Sequence, residues 1–378
     1  GYAGIIMKDL KQCRQEIDEI DEQMMALFER RMKVAKDVVT YKMAHHMEIF
    51  QSEREAQVIQ NNVSRIQSED LHSYAKLFLT SMMNISKSYQ TTFLPHPQTL
   101  TYALPKVNDI TVGFQGVPGS FSQKALDTYF GKQTKRQQYT HFKDVFEALK
   151  RDEIDYGIVP LENSSTGAIN DNYDAIRDYG FYIVGEQSLS VSQHLLGIKG
   201  SKLEDIQEVY SHPQGLLQTS LFLEKHHIQP HEYENTAMAA KYVSTLQNPH
   251  IGAIASSQAA QLYDLDILQD NIQNIQNNAT RFIIFGKQLE VVEDASCISI
   301  VFTLPHQVGA LYQVMKIIYD YAINMLRIES RPLLETPWEY YFYVDLEGSL
   351  KDVAMIQALE DMKAHTKIMR VLGNYVKK

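Results

Sequence analysis

Val159-Pro160-Leu161-Glu162-Asn163-Ser164 closes the apolar run at residues 156–159 with polar side chains. A short apolar run bounded in this way reads as a buried strand, and polar groups at its end sit where open α/β sheets gather ligands. The same grammar continues on both sides. Residues 110–114, 181–184, 206–210, 251–255 and 282–285 form further short apolar strands separated by helical segments, which predicts an α/β region with parallel crossovers. Ser211-His212-Pro213-Gln214 follows one of these strands, and Asn278-Ala279-Thr280-Arg281-Phe282 leads into the last. Gln115 to Gln123 follows the first strand and opens a helix, with Ser120 or Ser122 as its cap and backbone N–H groups open to a carboxylate.

The chain has 378 residues, and at roughly 100–200 residues per domain we expect three domains, at 7–94, 109–288 and 294–378. Residues 91–109, with Pro95, Pro97 and Pro105, read as a linker, and residues 1–6 as extraneous to the fold before Met7. A formal net charge of −10 with interspersed signs offers no basic stripe, which argues against nucleic acid and anionic membrane as partners. No apolar run reaches the ~18 residues of a membrane span, and no export leader is visible. Cys13 and Cys297 form neither a disulfide framework nor a CxxC site, so a reducing cytoplasm is expected. The histidines include the pairs His45-His46 and His226-His227 but no HExxH, so no metal is expected. Gly113, Gly116 and Gly119 lack the spacing of a dinucleotide turn, which argues against a dehydrogenase.

Towards the N-terminus the period changes. Ile17, Ile20, Met24, Leu27, Val34 and Val38 recur at threes and fours within residues 9–45, which predicts one amphipathic helix roughly 55 Å long. So long a stripe needs other helices or a second chain to cover it, and an intertwined dimer is expected. Shorter helices follow near residues 51–66 and 71–93. Arg31 interrupts the stripe, where a charge needs a partner. Lys42 returns to within about 20° of the Arg31 face, whereas Arg14 lies about 100° away. Arg31 and Lys42 can therefore meet one ligand, and Arg14 serves another site.

The C-terminal segment alternates strand, helix, strand, strand, helix, strand at residues 296–304, 308–321, 324–330, 338–346, 353–365 and 368–375, the α+β order of a ferredoxin-like domain. Gly309, near the start of the first of these helices, suits a ligand's approach to backbone N–H groups.

Taken in order, these segments resemble the bifunctional chorismate mutase–prephenate dehydratase family with a C-terminal ACT domain. The Val159–Ser164, Ser211–Gln214 and Asn278–Phe282 segments are similar to the dehydratase signature. Arg14, Arg31, Lys42, Arg54, Glu55, Ser86 and Gln90 are similar in type and spacing to the all-helical mutases, whereas Gln51 departs from the acidic residue of some relatives. The resemblance implies a multidomain chain. It would contain an all-α mutase bundle, a two-lobed α/β dehydratase domain like a periplasmic binding protein, and a ferredoxin-like ACT domain.

The implied roles suit the chemistry. Rearranging chorismate requires no nucleophile, only a compact dicarboxylate and stabilised charge on the breaking ether oxygen. Arg14, crossing from a partner chain, Arg31 and Arg54 suit the carboxylates. Lys42 and Gln90 suit the ether oxygen, Glu55 the ring hydroxyl, and Ser86 and Gln51 further substrate contacts. In the dehydratase, Thr280 is implied to donate to the leaving hydroxyl and Arg281 to anchor a carboxylate. Asn163, Ser164, Ser211, Gln214 and Phe282 would orient the rest. A threonine hydroxyl is a weak acid, so the proton source stays open between Glu162 and a water held by Thr280. Gly309-Ala310-Leu311 and Glu329-Ser330-Arg331-Pro332 resemble the phenylalanine-binding motifs of ACT domains, the second expected as a loop after its strand.

The expected partners are chorismate, prephenate, the effector L-phenylalanine and a second or further copy of the chain, as homodimer or homotetramer, with no cofactor. A solute-binding protein and a phenylalanine sensor without turnover are the rival readings. A mutase fused to a prephenate dehydrogenase would need the missing dinucleotide turn.

Overall fold

A computed structural model describes residues 7–49, 51–95, 100–164, 167–306 and 308–378. Residues 1–6 and Pro97 of the expected linker lie outside this set. Two compact units emerge, one of residues 1–99, 305–324 and 351–367, the other of residues 100–304, 325–350 and 368–378. No helix of the described residues is long and apolar enough to cross a membrane.

The first unit is helical. Its long helix, Leu10–Ala44, has 35 residues and is capped by the Asp9 side chain, which gives about 52 Å at 1.5 Å per residue. Ser52–Val63 and His72–Thr91 follow. Of the long helix only Ala35 and Val39 are buried, while the stripe from Ile17 to Val38 is exposed. The periodicity is a correct guide to the helix, and among the described residues nothing in this unit covers most of its apolar face. The helices Ala310–Asp320 and Val353–Ala364 also belong here. The Ser88 hydroxyl donates to the Asp320 carbonyl at 2.8 Å, and Tyr321 donates to Asp361 at 2.5 Å. The expected domain at 294–378 thus divides, its helices grouping here and its strands with the second unit.

The strands of the second unit are β1 (Thr111–Gln115), β2 (Lys135–Tyr139), β3 (Tyr156–Asn163), β4 (Gly167–Ala168), β5 (Tyr182–Ser190), β6 (His194–Ile198), β7 (Glu208–Ser211), β8 (Gln229–Glu232), β9 (Ile251–Ala255), β10 (Leu265–Gln269), β11 (Ala279–Gly286), β12 (Cys297–Thr303), β13 (Met325–Pro332), β14 (Tyr340–Glu347) and β15 (Ile368–Tyr375). A large sheet runs β13-β14-β12-β15-β5-β11-β3-β1-β2, with β4 beside β3, and a smaller one runs β10-β6-β9-β7-β8. The chain crosses between the sheets twice, after β5 and after β10, which makes two lobes. Each has its own core, around Phe114, Ile158 and Ile284 in one and Leu195, Val209 and Ile254 in the other.

Three expectations change. The sheets are mixed, because β11 runs antiparallel between β3 and β5. β3 continues through Asn163 and β11 starts at Ala279, so the two signature segments are paired strand ends, with Thr280 opposite Asn163 and Arg281 opposite Glu162. Glu329–Pro332 is strand too, paired with Tyr340–Tyr343. The polar strands β2 and β8 escaped detection because they are sheet edges, where alternation is weak and Pro230 is tolerated.

The C-terminal order strand, helix, strand, strand, helix, strand is as expected. Strand β15 joins the large sheet through Gly373 opposite Ile183. A Cβ at Gly373 would stand 2.1 Å from the Ile183 carbonyl oxygen, so only glycine permits this seam.

Candidate active sites

In the first unit the three N-terminal helices surround a cleft of about 350 Å³. It gathers Arg31, Lys42, Gln51, Arg54, Glu55, Ser86 and Gln90, and adds Lys87. Arg31 and Lys42 do converge, as their rotation on the helix predicts. Four cations, Arg31, Lys42, Arg54 and Lys87, face one carboxylate, Glu55, giving a local excess of three positive charges within a chain of net charge −10. Such a cleft suits a dianion, and the side chains of Val34, Ala35, Val38 and Val58 give it an apolar wall.

The polar groups are partly preset. Lys42 Nζ donates to the Ile49 carbonyl at 3.0 Å, and Arg31 approaches Met83 Sδ at 3.5 Å. Lys87 pairs with Glu55 at 3.0 Å, fixing that carboxylate. Gln90 Nε2 donates to Ser86 Oγ at 3.0 Å, and Ser86 is buried. Lys87 was legible only as one member of the Met83-Lys87-Gln90 spacing. Arg14 lines no part of this cleft. It is exposed and lies about 25 Å before Arg31 along the helix.

The second site lies in the two-lobed unit. Ser256 Oγ in the loop after β9 donates to the Gly119 carbonyl in the loop after β1 at 3.1 Å, so strand ends of the two sheets face each other. On this side of the large sheet Asn163 Nδ2 donates to Thr280 Oγ1 at 3.0 Å, both residues being buried. Because that oxygen accepts from Asn163, the Thr280 hydrogen remains available to a leaving group. Ser164 completes the turn, donating to Asn278 Oδ1 at 3.0 Å and accepting the Ala279 N–H at 2.8 Å.

Other predicted members are placed differently. Side chains alternate along a strand, so Glu162 and Arg281 point to the face opposite Asn163 and Thr280. Arg281 Nη2 donates to Tyr173 OH at 2.6 Å, and the guanidinium has Glu162 at 3.6 Å, Glu186 at 3.5 Å and Asp345 at 3.8 Å. Burial opposes its charge, but Tyr375, Asp345, Glu186 and Glu162 outweigh that and hold its pKa above the usual arginine range. Glu186 shifts up, chiefly by burial. Arg281 is therefore the centre of a buried charge cluster rather than an open carboxylate anchor. Glu162, paired with Arg281 and with Arg327 at 3.0 Å, is turned away from Thr280 and poorly placed as a proton donor.

Phe282 is core, packed with Val112, Phe114 and Leu126. Ser211 is fully buried and donates to the Ile254 carbonyl at 2.8 Å, so it shapes the end of β7, while Gln214 is exposed on the helix that follows. The turn after β1 is less open than expected. Gly116 N–H donates to Tyr139, Gly119 N–H to Gln123 Oε1 and Ser120 N–H to Val117, and the cap is Ser120.

Gly309 forms the cap of Ala310–Asp320 in a left-handed conformation, φ 73°. Glu329 bonds to Arg327, and Arg331 to Asp174. These residues fall in different compact units, Gly309, Ala310 and Leu311 in the first, Glu329, Ser330, Arg331 and Pro332 in the second.

A family model described as prephenate dehydratase matches residues 112–290, and one described as chorismate mutase type II matches residues 13–91. A relative from Aquifex aeolicus (strain VF5), named bifunctional chorismate mutase/prephenate dehydratase, is 32% identical over 374 residues, covering 98% of this chain and 99% of the relative. The crystal structure of a prephenate dehydratase in complex with L-Phe from Arthrobacter aurescens has a TM-score of 0.64 and 26% identity over 71% of this chain and 90% of its own. A structure described as GqqA, a quorum-quenching acylase, has the same TM-score with 27% identity over 71% of this chain and 98% of its own, so the fold alone does not separate these activities. With both family models matched in order and the full-length relative spanned almost end to end, the chain belongs to the bifunctional chorismate mutase/prephenate dehydratase family.

Proposed function

We propose that the helical cleft rearranges chorismate to prephenate and that the cleft at Thr280 converts prephenate to phenylpyruvate, water and carbon dioxide. The excess of cations around Arg31 and Lys42 carries this reading. Arg31 and Arg54 take the two carboxylates and hold the substrate in its compact conformer. As the ether C–O bond breaks and the C–C bond forms, Lys42 and Gln90 donate to the oxygen gaining charge. Glu55, steadied by Lys87, accepts from the ring hydroxyl.

In the second reaction the ring C–O bond and the bond to the ring carboxylate break together, and the electrons released aromatise the ring. The departing hydroxyl accepts the Thr280 hydrogen that Asn163 leaves free, with a water held by Thr280 as the source of the proton. The working form is a cytoplasmic homodimer or homotetramer, in keeping with the two unpaired cysteines and the uncovered stripe of the long helix. Burying that stripe would contribute on the order of 10 kcal/mol. L-Phenylalanine is the inhibitor, with Gly309–Leu311 and Glu329–Pro332 each a candidate segment for it; L-Phe bound to the Arthrobacter relative supports the choice of effector.

Separate assays test the assignment. Lys42→Ala should raise the mutase barrier by about 3 kcal/mol, as loss of one oxyanion donor does, while turnover of added prephenate stays near normal. Loss of both activities together, or a fully active mutase, would remove the assignment. A regulator without turnover would leave chorismate and prephenate unconsumed by the wild type.

A further inference from the structure

The charges that neither reaction consumes are concentrated under the dehydratase strands. On β3 and β11 the catalytic face carries Asn163 and Thr280, and the opposite face carries Glu162 and Arg281, each one residue away. Glu162 Oε2 lies 3.0 Å from Arg327 Nε and 3.6 Å from Arg281 Nη2. Arg327 stands on β13, and its other arm bonds Glu329 on the same strand. Its guanidinium lies 4.8 Å over the Tyr173 ring, whose hydroxyl accepts from Arg281. One guanidinium is thus divided between a carboxylate beside the catalytic pair and a carboxylate in the effector segment.

We propose that Arg327 is a positioning residue for the dehydratase reaction: by holding Glu162 it fixes the β3–β11 pairing that aims Thr280, and through Glu329 it links that pairing to the effector segment. The proposal rests on Thr280 as the dehydratase hydroxyl and on Glu329–Pro332 as part of the effector site. The pairing has a weak point where a hold is needed, since the β3–β11 register shifts between Arg281 and Phe282. Such irregularities re-aim neighbouring side chains. Without Arg327, Glu162 keeps among the described residues the longer contact to Arg281, and its side chain, already 32% exposed, opens to water. Any ligand that engages Glu329 changes how firmly Arg327 holds Glu162, a differential contact of the kind that allosteric coupling requires.

Arg327 bonds Glu162 on the strand face opposite Asn163 and Thr280, so its loss should act on turnover and not on binding. In full-length R327A, dehydratase kcat should fall by about 10-fold or more, the scale expected for sub-ångström misplacement of a catalytic group, with KM little changed. R327K, which keeps one ion pair without the shared fork, should recover an intermediate kcat. Calorimetry should show phenylalanine still binding to R327A while inhibition weakens. Mutase turnover of chorismate serves as the folding control, and R327Q takes the place of R327A under the same criteria if R327A fails to fold.

Wild-type kcat in R327A, or equal loss in R327A and R327K with KM rising in parallel, overturns the proposal. Thr280→Val is assayed alongside. An active Thr280→Val removes the underlying reading, whereas an inactive one beside a fully active R327A overturns the role of Arg327 alone. If wild-type protein neither binds nor responds to phenylalanine, the link to an effector falls and kcat alone decides the positioning role.

Discussion

Asn163 and Thr280 oppose each other across β3 and β11, and the hydrogen bond between them runs from the amide to the hydroxyl oxygen at 3.0 Å. Its direction decides what Thr280 can do. Asn163→Ala frees the hydroxyl to rotate and should lower dehydratase kcat by about 10- to 100-fold. Asn163→Asp should be worse, because an ionised carboxylate only accepts and would draw the Thr280 hydrogen towards itself. Phenylpyruvate formation from added prephenate measures both. An Asn163→Asp enzyme as active as wild type would show that the direction of this bond is irrelevant to catalysis.

Glu290 makes stability depend on pH. Burial raises its pKa to about 7, and only the Tyr156 hydroxyl, at 2.8 and 2.9 Å, and the Lys106 charge oppose that. A carboxyl whose folded pKa exceeds its unfolded value binds its proton more tightly in the native state. Its contribution is full below the unfolded pKa, near 4.5, and is lost as pH rises through about 7. Glu290→Gln, which cannot ionise, should flatten the fall in Tm between pH 5 and pH 8 relative to wild type. Parallel melting curves for the two proteins across that range would contradict the buried carboxyl as its source.

The helical site was the more legible of the two because a single period governs it. A rotation of 100° per residue puts Arg31 and Lys42 on one face and Arg14 on another without reference to any other element. In the dehydratase, neighbours in the signature belong to opposite faces of a strand. Thr280 and Arg281 look like one functional unit in sequence, yet the pleat turns one to Asn163 and the other into a charge cluster completed by Asp345 and Glu186. No local pattern announces partners so far apart in the chain. Strand β13 was cut short for a related reason. Arg327, Glu329 and Arg331 alternate with Ile328 and Ser330, and a polar alternation on an edge strand reads as a loop until its partner β14 is known.

Gly309 tests the regulatory reading at small structural cost. Its φ of +73° is unfavourable for a residue with a Cβ, but beyond its chain neighbours an added Cβ would meet no atom of the described residues within 4 Å. The penalty for Gly309→Ala is therefore backbone strain alone, about 1–2 kcal/mol. Both reactions should proceed normally, while the methyl group obstructs a ligand approaching the start of the helix. Dose–response curves should show phenylalanine inhibition shifted to higher concentration. Unshifted inhibition would place the effector elsewhere.

Arg14 supplies the last test, because it lies about 25 Å along the helix from Arg31 and lines no part of the cleft in its own chain. If the exposed stripe from Ile17 to Val38 pairs with a second copy, Arg14 of one chain completes the cleft of the other. Arg14→Ala and Lys42→Ala should then each abolish most mutase activity as pure proteins. Unfolded together and refolded, they should recover about a quarter of wild-type activity, since half of randomly paired dimers are mixed and each mixed dimer has one intact site. The intact site belongs to the Arg14→Ala chain, which keeps its own Lys42 and borrows Arg14 from its partner. Dehydratase activity should be unaffected by the mixing, which separates recovery of this site from better refolding in general. A mixture no more active than its components would mean that Arg14 serves its own chain, or that the stripe is covered by something other than a second copy.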